Sequence, residues 1–158
     1  MNELYEKSLH TLELDRVLGM LSECCITPEG KERALKLIPN SDAEEVTRLL
    51  KETSDACHMV ELKGNPAFRE VKDVKPSLER ADRGGSLNTV ELLRIAGVLR
   101  ATRGVKAYGE GDGIETGSLD GYFWALTPNR FLEDKITNAI ISEEEIADSA
   151  SPALNDIR

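Results

Sequence analysis

The chain has 158 residues, enough for one domain with a real core and too few for two ordinary ones. Its formal net charge of -9 makes the chain as a whole repel nucleic acid and anionic membrane, and with only 4% aromatic residues the core must be aliphatic. Cys24, Cys25 and Cys57 show no disulfide framework, the N-terminus carries no apolar signal segment, and no apolar run approaches the ~18 residues of a membrane span; a reducing, cytoplasmic compartment is expected.

Leu14, Val17, Leu18 and Leu21 fall at i, i+3, i+4 and i+7 and predict a helix running to about Cys25. A second helix follows at once, with Thr27 as N-cap and Pro28 at the first position, and ends before Pro39. Ser41 and Glu44 form a capping box for a longer helix whose stripe is Val46, Leu49, Leu50, Thr53, Cys57 and Val60, ended near Gly64. Residues 65–74 read as a loop anchored by Phe68, Val71 and Val74. Pro76 opens a short helix that Gly84 and Gly85 close, and Asn88 with Glu91 caps a further helix that turns Leu92, Ile95, Ala96 and Leu99 inward.

The run from Gly109 to Ser118 has turn composition, and five of the seven aromatics (Tyr108, Tyr122, Phe123, Trp124 and Phe131) cluster around and after it. Thr127 and Pro128 start another helix, with Phe131, Leu132, Ile136 and Ile140 as its apolar side. Ile140-Ile141 and Ile146-Ala147 flank an acidic turn and can pair as a small β-hairpin. Ser151 and Pro152 then announce a helix whose stripe, Leu154 and Ile157, has barely begun at Arg158 and has no C-cap. The expected fold is mainly α: a helical core over residues 1–150, then a truncated helix at 151–158 that marks the chain as the N-terminal segment of a longer protein.

No constellation of catalytic residues stands out. The glycine-rich run lacks the Gly-Lys-Ser/Thr of a phosphate loop, and Glu110, Asp112 and Glu115 would repel phosphate. Cys24, Cys25, Cys57, His10 and His58 have no metal-ligand spacing, and cysteine on an amphipathic helix is ordinarily a small hydrophobe. Glu143, Glu144 and Glu145 are consecutive and so diverge, as expected of a solvated turn. The exception to this blandness is a basic stretch. Between Lys75 and Lys106 there are seven basic residues against three acidic. Arg80, Arg83, Arg100, Arg103 and Lys106 are its candidate nucleic-acid or interface contacts. Against that reading, cations in the last turns of a helix complement the macrodipole, and no aromatic platform interleaves them. Arg103 continues the Leu92/Leu99 face, so part of this set is expected to turn toward another domain or chain.

Three segments go beyond pattern: TLELDRVLGMLSECCITPEGKERALKL (Thr11 to Leu37), RGGSLNTVELLRIAGVL (Arg83 to Leu99) and EIADSASPALNDIR (Glu145 to Arg158). Their residues, order and spacing resemble the N-terminal region of the type-two bacterial MutS paralogues, from about Glu3 to Arg158. The poorest match is Tyr108 to Asn129. The resemblance implies a helical core or lever region, followed in the longer protein by a coiled-coil clamp that the 151–158 helix enters, an ABC-type ATPase using ATP and Mg, and usually a C-terminal Smr nuclease domain. It implies a homodimer that binds DNA, suppresses homologous recombination and splits collided ribosomes through contact with rRNA. No Walker or nuclease residue has a counterpart here, so no catalytic, cofactor or metal residue is carried over. Two departures are Glu143-Glu144 in place of an Asp-Gly-like turn, and Asn155-Asp156 where basic residues often follow. The competing expectation is a free-standing acidic helical adaptor that binds a protein through the Leu92 face.

Overall fold

A computed structural model describes residues 3–68, 71–110, 117–151 and 154–155. The described residues form eight α-helices: α1 (Glu3–Thr11), α2 (Leu14–Cys24), α3 (Pro28–Leu35), α4 (Ala43–Lys63), α5 (Lys75–Asp82), α6 (Thr89–Gly109), α7 (Asp120–Ala125) and α8 (Arg130–Ala139). The mainly α expectation therefore holds. The chain divides into two compact units, Met1–Val46 and Thr47–Arg158.

In the first unit, α1 and α2 meet at Glu13, whose φ of 53° is left-handed and ends α1 sharply. Helix α2 packs on α3 across the short 25–27 connection. Thr27 and Pro28 start α3 as its sequence predicts: the Thr27 hydroxyl accepts the Gly30 amide at 3.0 Å. Burial is thin, however. Ala34 is the one fully buried side chain among the described residues of this unit. Leu12, Val17, Met20 and Ile38 are each more than half exposed. An apolar groove of about 390 Å³ runs between Leu9, Leu14, Leu18, Leu35, Leu37 and Ile38.

The second unit is organised around α6. The Asn88 side chain accepts the Glu91 amide at 2.9 Å, and the Glu91 carboxylate accepts the Asn88 amide at 2.9 Å, so the expected capping box is complete. Ile95 and Ala96 from α6 meet Ile136 from α8 and Ile140 just after it. Val74, Leu87, Leu92, Leu93, Leu99 and Ala139 pack around them. Leu92 thus faces this chain's own core and is not a surface offered to a partner. Helix α5 stops at Gly84, whose φ of 81° lets the Gly85 amide return to the Arg80 carbonyl at 2.9 Å.

The structure corrects several boundaries and faces. Helix α4 is capped by Asp42, which accepts the Glu44 amide at 3.0 Å, and not by Ser41. Its expected stripe faces solvent at Leu49, Leu50, Cys57 and Val60, whereas Met59 is buried and Glu52, Asp55, Ala56 and Lys63 are half-buried beside it. Helix α8 starts at Arg130 with Asn129 as cap (Leu132 amide at 3.0 Å), two residues later than Thr127 and Pro128 suggest, and Phe131 is 76% exposed. Helices α1 and α7 have no counterpart in the sequence reading. The expected hairpin reduces to one antiparallel bridge, Ile140 with Ile146. Ser151 does cap the final turn, its hydroxyl accepting the Leu154 amide at 3.2 Å. Pro152 and Ile157 lie outside the described residues, as do Asp112 and Glu115.

Candidate nucleic-acid interface

The five basic residues singled out from sequence do not form one patch, and each has a partner within the chain. On α5, the Arg80 guanidinium donates to the Glu91 carboxylate and, through Nε, to the Ser86 carbonyl at 3.2 Å. Ser77 donates to the same carboxylate at 3.0 Å, so Glu91 caps α6 and ties α5 to it in one stroke. The Asn88 amide, together with Arg80 and Ser77, holds the Glu91 carboxyl below its ordinary value. Arg83 lies 3.8 Å from Glu79 one turn earlier, an exposed pair of small energetic consequence.

On α6, Arg100 and Arg103 converge on Glu133 of α8. Arg103 engages it with both prongs, Nε to Oε2 at 3.0 Å and Nη2 to Oε1 at 2.9 Å, while Arg100 Nε approaches Oε1 at 3.5 Å. Glu133 is only 5% exposed. A carboxylate this buried requires such partners. The Arg103 contact lowers the Glu133 carboxyl and in return raises the Arg103 guanidinium. Arg103, which continues the Leu92/Leu99 face, thus turns onto α8 of its own chain. Lys106 donates to the Leu126 carbonyl at 3.0 Å and lies 3.8 Å from Glu110. Three of the five candidates thus fasten α6 to α8 and to the residue that ends α7.

A second polar joint escaped the sequence reading. The Asp55 carboxylate on α4 accepts both the amide and the hydroxyl of Ser118, at 2.9 and 2.7 Å. The Ser118 amide, its hydroxyl and Lys51 lower the Asp55 carboxyl to about 2. Nearby, Lys63 donates to the Tyr108 carbonyl at 2.9 Å and the Tyr108 hydroxyl to the Gly64 carbonyl at 2.8 Å. The signal available for Glu133 was its place at i, i+3, i+7 with Ile136 and Ile140. For Asp55 no comparable signal exists, because its partner is mainly a backbone amide 63 residues away.

Among the described residues, no group of three or more His, Cys, Asp or Glu could hold a metal ion, and no helix is long and apolar enough to cross a membrane. Cys24 and Cys57 are exposed, Cys25 is half-buried, and all three are free.

No family model matches the chain. Individual proteins do. The chain is 40% identical over 156 residues to a protein named endonuclease MutS2 from Acetivibrio thermocellus, and 41% identical over 155 residues to one of the same name from Ruminiclostridium cellulolyticum. A third, from Agathobacter rectalis, is 42% identical over 155 residues. Each match takes in 97% of this chain and 20% of the relative. The chain matches an N-terminal region of MutS2. It spans about a fifth of the length of the curated relatives. The joints at Glu91 and Glu133 are internal fastenings of the second unit, and the residues that sequence alone offered for phosphate are largely part of them.

Proposed function

We propose that this chain is the N-terminal structural segment of a MutS2-type protein, a cytoplasmic homodimer that binds DNA and couples ATP hydrolysis to an endonuclease, suppressing homologous recombination and splitting collided ribosomes through rRNA contact. The observation that carries the reading is similarity along 97% of the chain to proteins that bear the endonuclease name. The sequence lacks Gly-Lys-Ser/Thr, and among the described residues no group of three or more His, Cys, Asp or Glu converges; in this reading ATP and Mg are held by other parts of a MutS2-type protein. The segment's contribution is mechanical. Core packing and the Glu91 and Glu133 joints hold α5, α6 and α8 as one body, which suits a part that passes movement on without deforming.

A chimera tests this. Replacing the matched fifth of the Acetivibrio thermocellus protein with this chain should preserve DNA cleavage and ATP hydrolysis within a few-fold. A chimera that folds and dimerises like its parent, yet is inactive in both assays, overturns the proposal.

A further inference from the structure

The apolar groove of the first unit gathers leucines from three stretches of the chain and leaves them facing water. Its volume is about 390 Å³. Leu9 comes from the last turns of α1, Leu14 and Leu18 from one face of α2, and Leu35, Leu37 and Ile38 from the end of α3 and the residues after it. Leu9, Leu14 and Leu18 are half-buried, whereas Leu35, Leu37 and Ile38 are each more than half exposed. Contiguous apolar surface of this kind marks an interaction site more often than an idle face.

Chemistry, charge and length each narrow what can occupy it. His10 and Asp15 are its polar lining residues, too few to orient a small molecule, which needs several converging polar groups. An open apolar trough beside helices instead suits an amphipathic helix, whose anchors at i, i+3 or i+4 and i+7 enter it in a row. Residues 1–46 carry ten acidic side chains against five basic. A second copy of this unit would bring the same acidic surface to an isologous contact and set like charges face to face, so the favoured occupant is basic along the flanks of its apolar stripe. The relatives supply a source for it. Their match to this chain takes in 20% of their length, which leaves about four fifths of a MutS2-type protein from which a helix can return. A tethered helix reaches the groove at an effective concentration near millimolar, so a modest apolar contact is enough to seat it.

We propose that this groove seats an amphipathic helix with basic flanks, contributed by the remaining four fifths of the MutS2-type chain. The inference rests on the proposed function above and assigns the first unit a partner within the same polypeptide. It also accounts for the thin burial in Met1–Val46: with the helix in place, Leu35, Leu37 and Ile38 leave water, and α1, α2 and α3 gain the core that three short helices cannot build alone.

The test compares amide hydrogen exchange across α2 and α3 in the 158-residue protein and in the chimera described above. Exchange should be at least about tenfold slower in the chimera, because a seated helix stabilises the unit it binds. Leu37→Glu with Ile38→Glu should abolish that gain in the chimera and change exchange in the 158-residue protein less than about threefold. Met20→Glu with Ile26→Glu makes the same charge change at exposed apolar positions outside the groove and should leave the gain in place. If the groove variant loses its circular dichroism, Ile38→Ser replaces it, with at least about half of the gain expected to disappear. Photo-crosslinking from p-benzoylphenylalanine placed at position 38 of the chimera should then mark a peptide of the relative's portion of the same chain, with apolar residues at helical spacing and Lys or Arg beside them. Equal exchange in the two proteins, equal loss in the Met20 control, protection in the 158-residue protein that rises with its concentration, a crosslink to another molecule, or a chimera that does not fold each overturns the groove. The two proposals fail separately: an active chimera without added protection condemns the groove alone, whereas added protection in a dimeric chimera inactive in both assays condemns the proposed function alone.

Discussion

The two units contain similar helices and differ in what the helices bury. In Thr47–Arg158, α6 presents Ile95 and Ala96 to Ile136 and Ile140, and a buried carboxylate at Glu133 closes the same helix pair. In Met1–Val46, α2 and α3 lie together with a sound N-cap at Thr27, yet eight large apolar side chains from Leu12 to Ile38 are at least 42% exposed. Capping and helix length settle where a helix forms, and in both units they do so well. They do not settle how strongly it is held, because that depends on area removed from water, at roughly 25 cal/mol per Å². Three short helices enclose too little volume to remove much.

The sharpest way to break this comparison is to truncate one apolar side chain in each unit. Ile136→Ala in the second unit should cost about 3 kcal/mol, the transfer and cavity loss of a buried isoleucine. Leu18→Ala, in the open groove of the first unit, should cost about 1 kcal/mol or less. Urea denaturation with a probe in each unit measures both, and equal costs would show that the first unit is as firmly packed as the second.

Next in size is the charged joint. Glu133→Gln keeps the shape but leaves two guanidiniums facing a neutral group, and should cost roughly 1.5–3 kcal/mol, the range for hydrogen bonds to charged groups. A double-mutant cycle with Arg103→Met isolates the pair. A coupling near zero would mean that α6 and α8 are held by their isoleucines alone.

Acid should act mainly on the second unit. Asp55, Glu91 and Glu133 all have folded values below their ordinary ones, so their contribution is fully present above the unfolded carboxylate range and is lost as pH falls through the folded values. For Asp55 that window runs from about 4 down to about 2. A urea midpoint tracked from pH 6 to pH 2 should therefore fall, and Asp55→Asn should flatten the lowest part of the fall. A flat profile in the wild type would remove the carboxylate joints from the account.

Much of this was legible in the sequence where a local rule decides the outcome. Thr27-Pro28 and the Asn88/Glu91 box fix helix starts with residues that bond their own neighbours, and the Leu92 to Leu99 spacing fixes the inward face of α6. The choice between adjacent candidates was not legible. Asp42 displaces Ser41, and Asn129 displaces Thr127, because each carboxylate or amide oxygen reaches the free amides of the first turn from one or two residues later. The face of α4 was misread for a different reason. Hydropathy selects Leu49, Leu50 and Val60, but the helix turns Glu52, Asp55 and Lys63 toward tertiary partners at Tyr122, Ser118 and Tyr108. The candidate site was legible only in part. Hydropathy and charge counts mark where cations are, whereas their availability depends on acids such as Glu133 that lie 30 residues away from Arg103.

The grip of Asp55 on Ser118 has a consequence for how this stretch tolerates sequence change. Gly117, just before it, has a φ of 56°, and a Cβ there would stand 2.7 Å from the Asp55 carboxylate oxygen. The residue that donates is thus less constrained than the one beside it. Serine at 118 contributes its hydroxyl, but alanine, asparagine or threonine would still offer the amide, and that amide is the larger influence on Asp55. A saturation scan across this turn should therefore show a wide repertoire at 118 between two narrow positions, glycine at 117 and a carboxylate at 55. The fastening is written into backbone geometry and one distant acid, so the identity of the residue that is fastened can drift while the attachment persists.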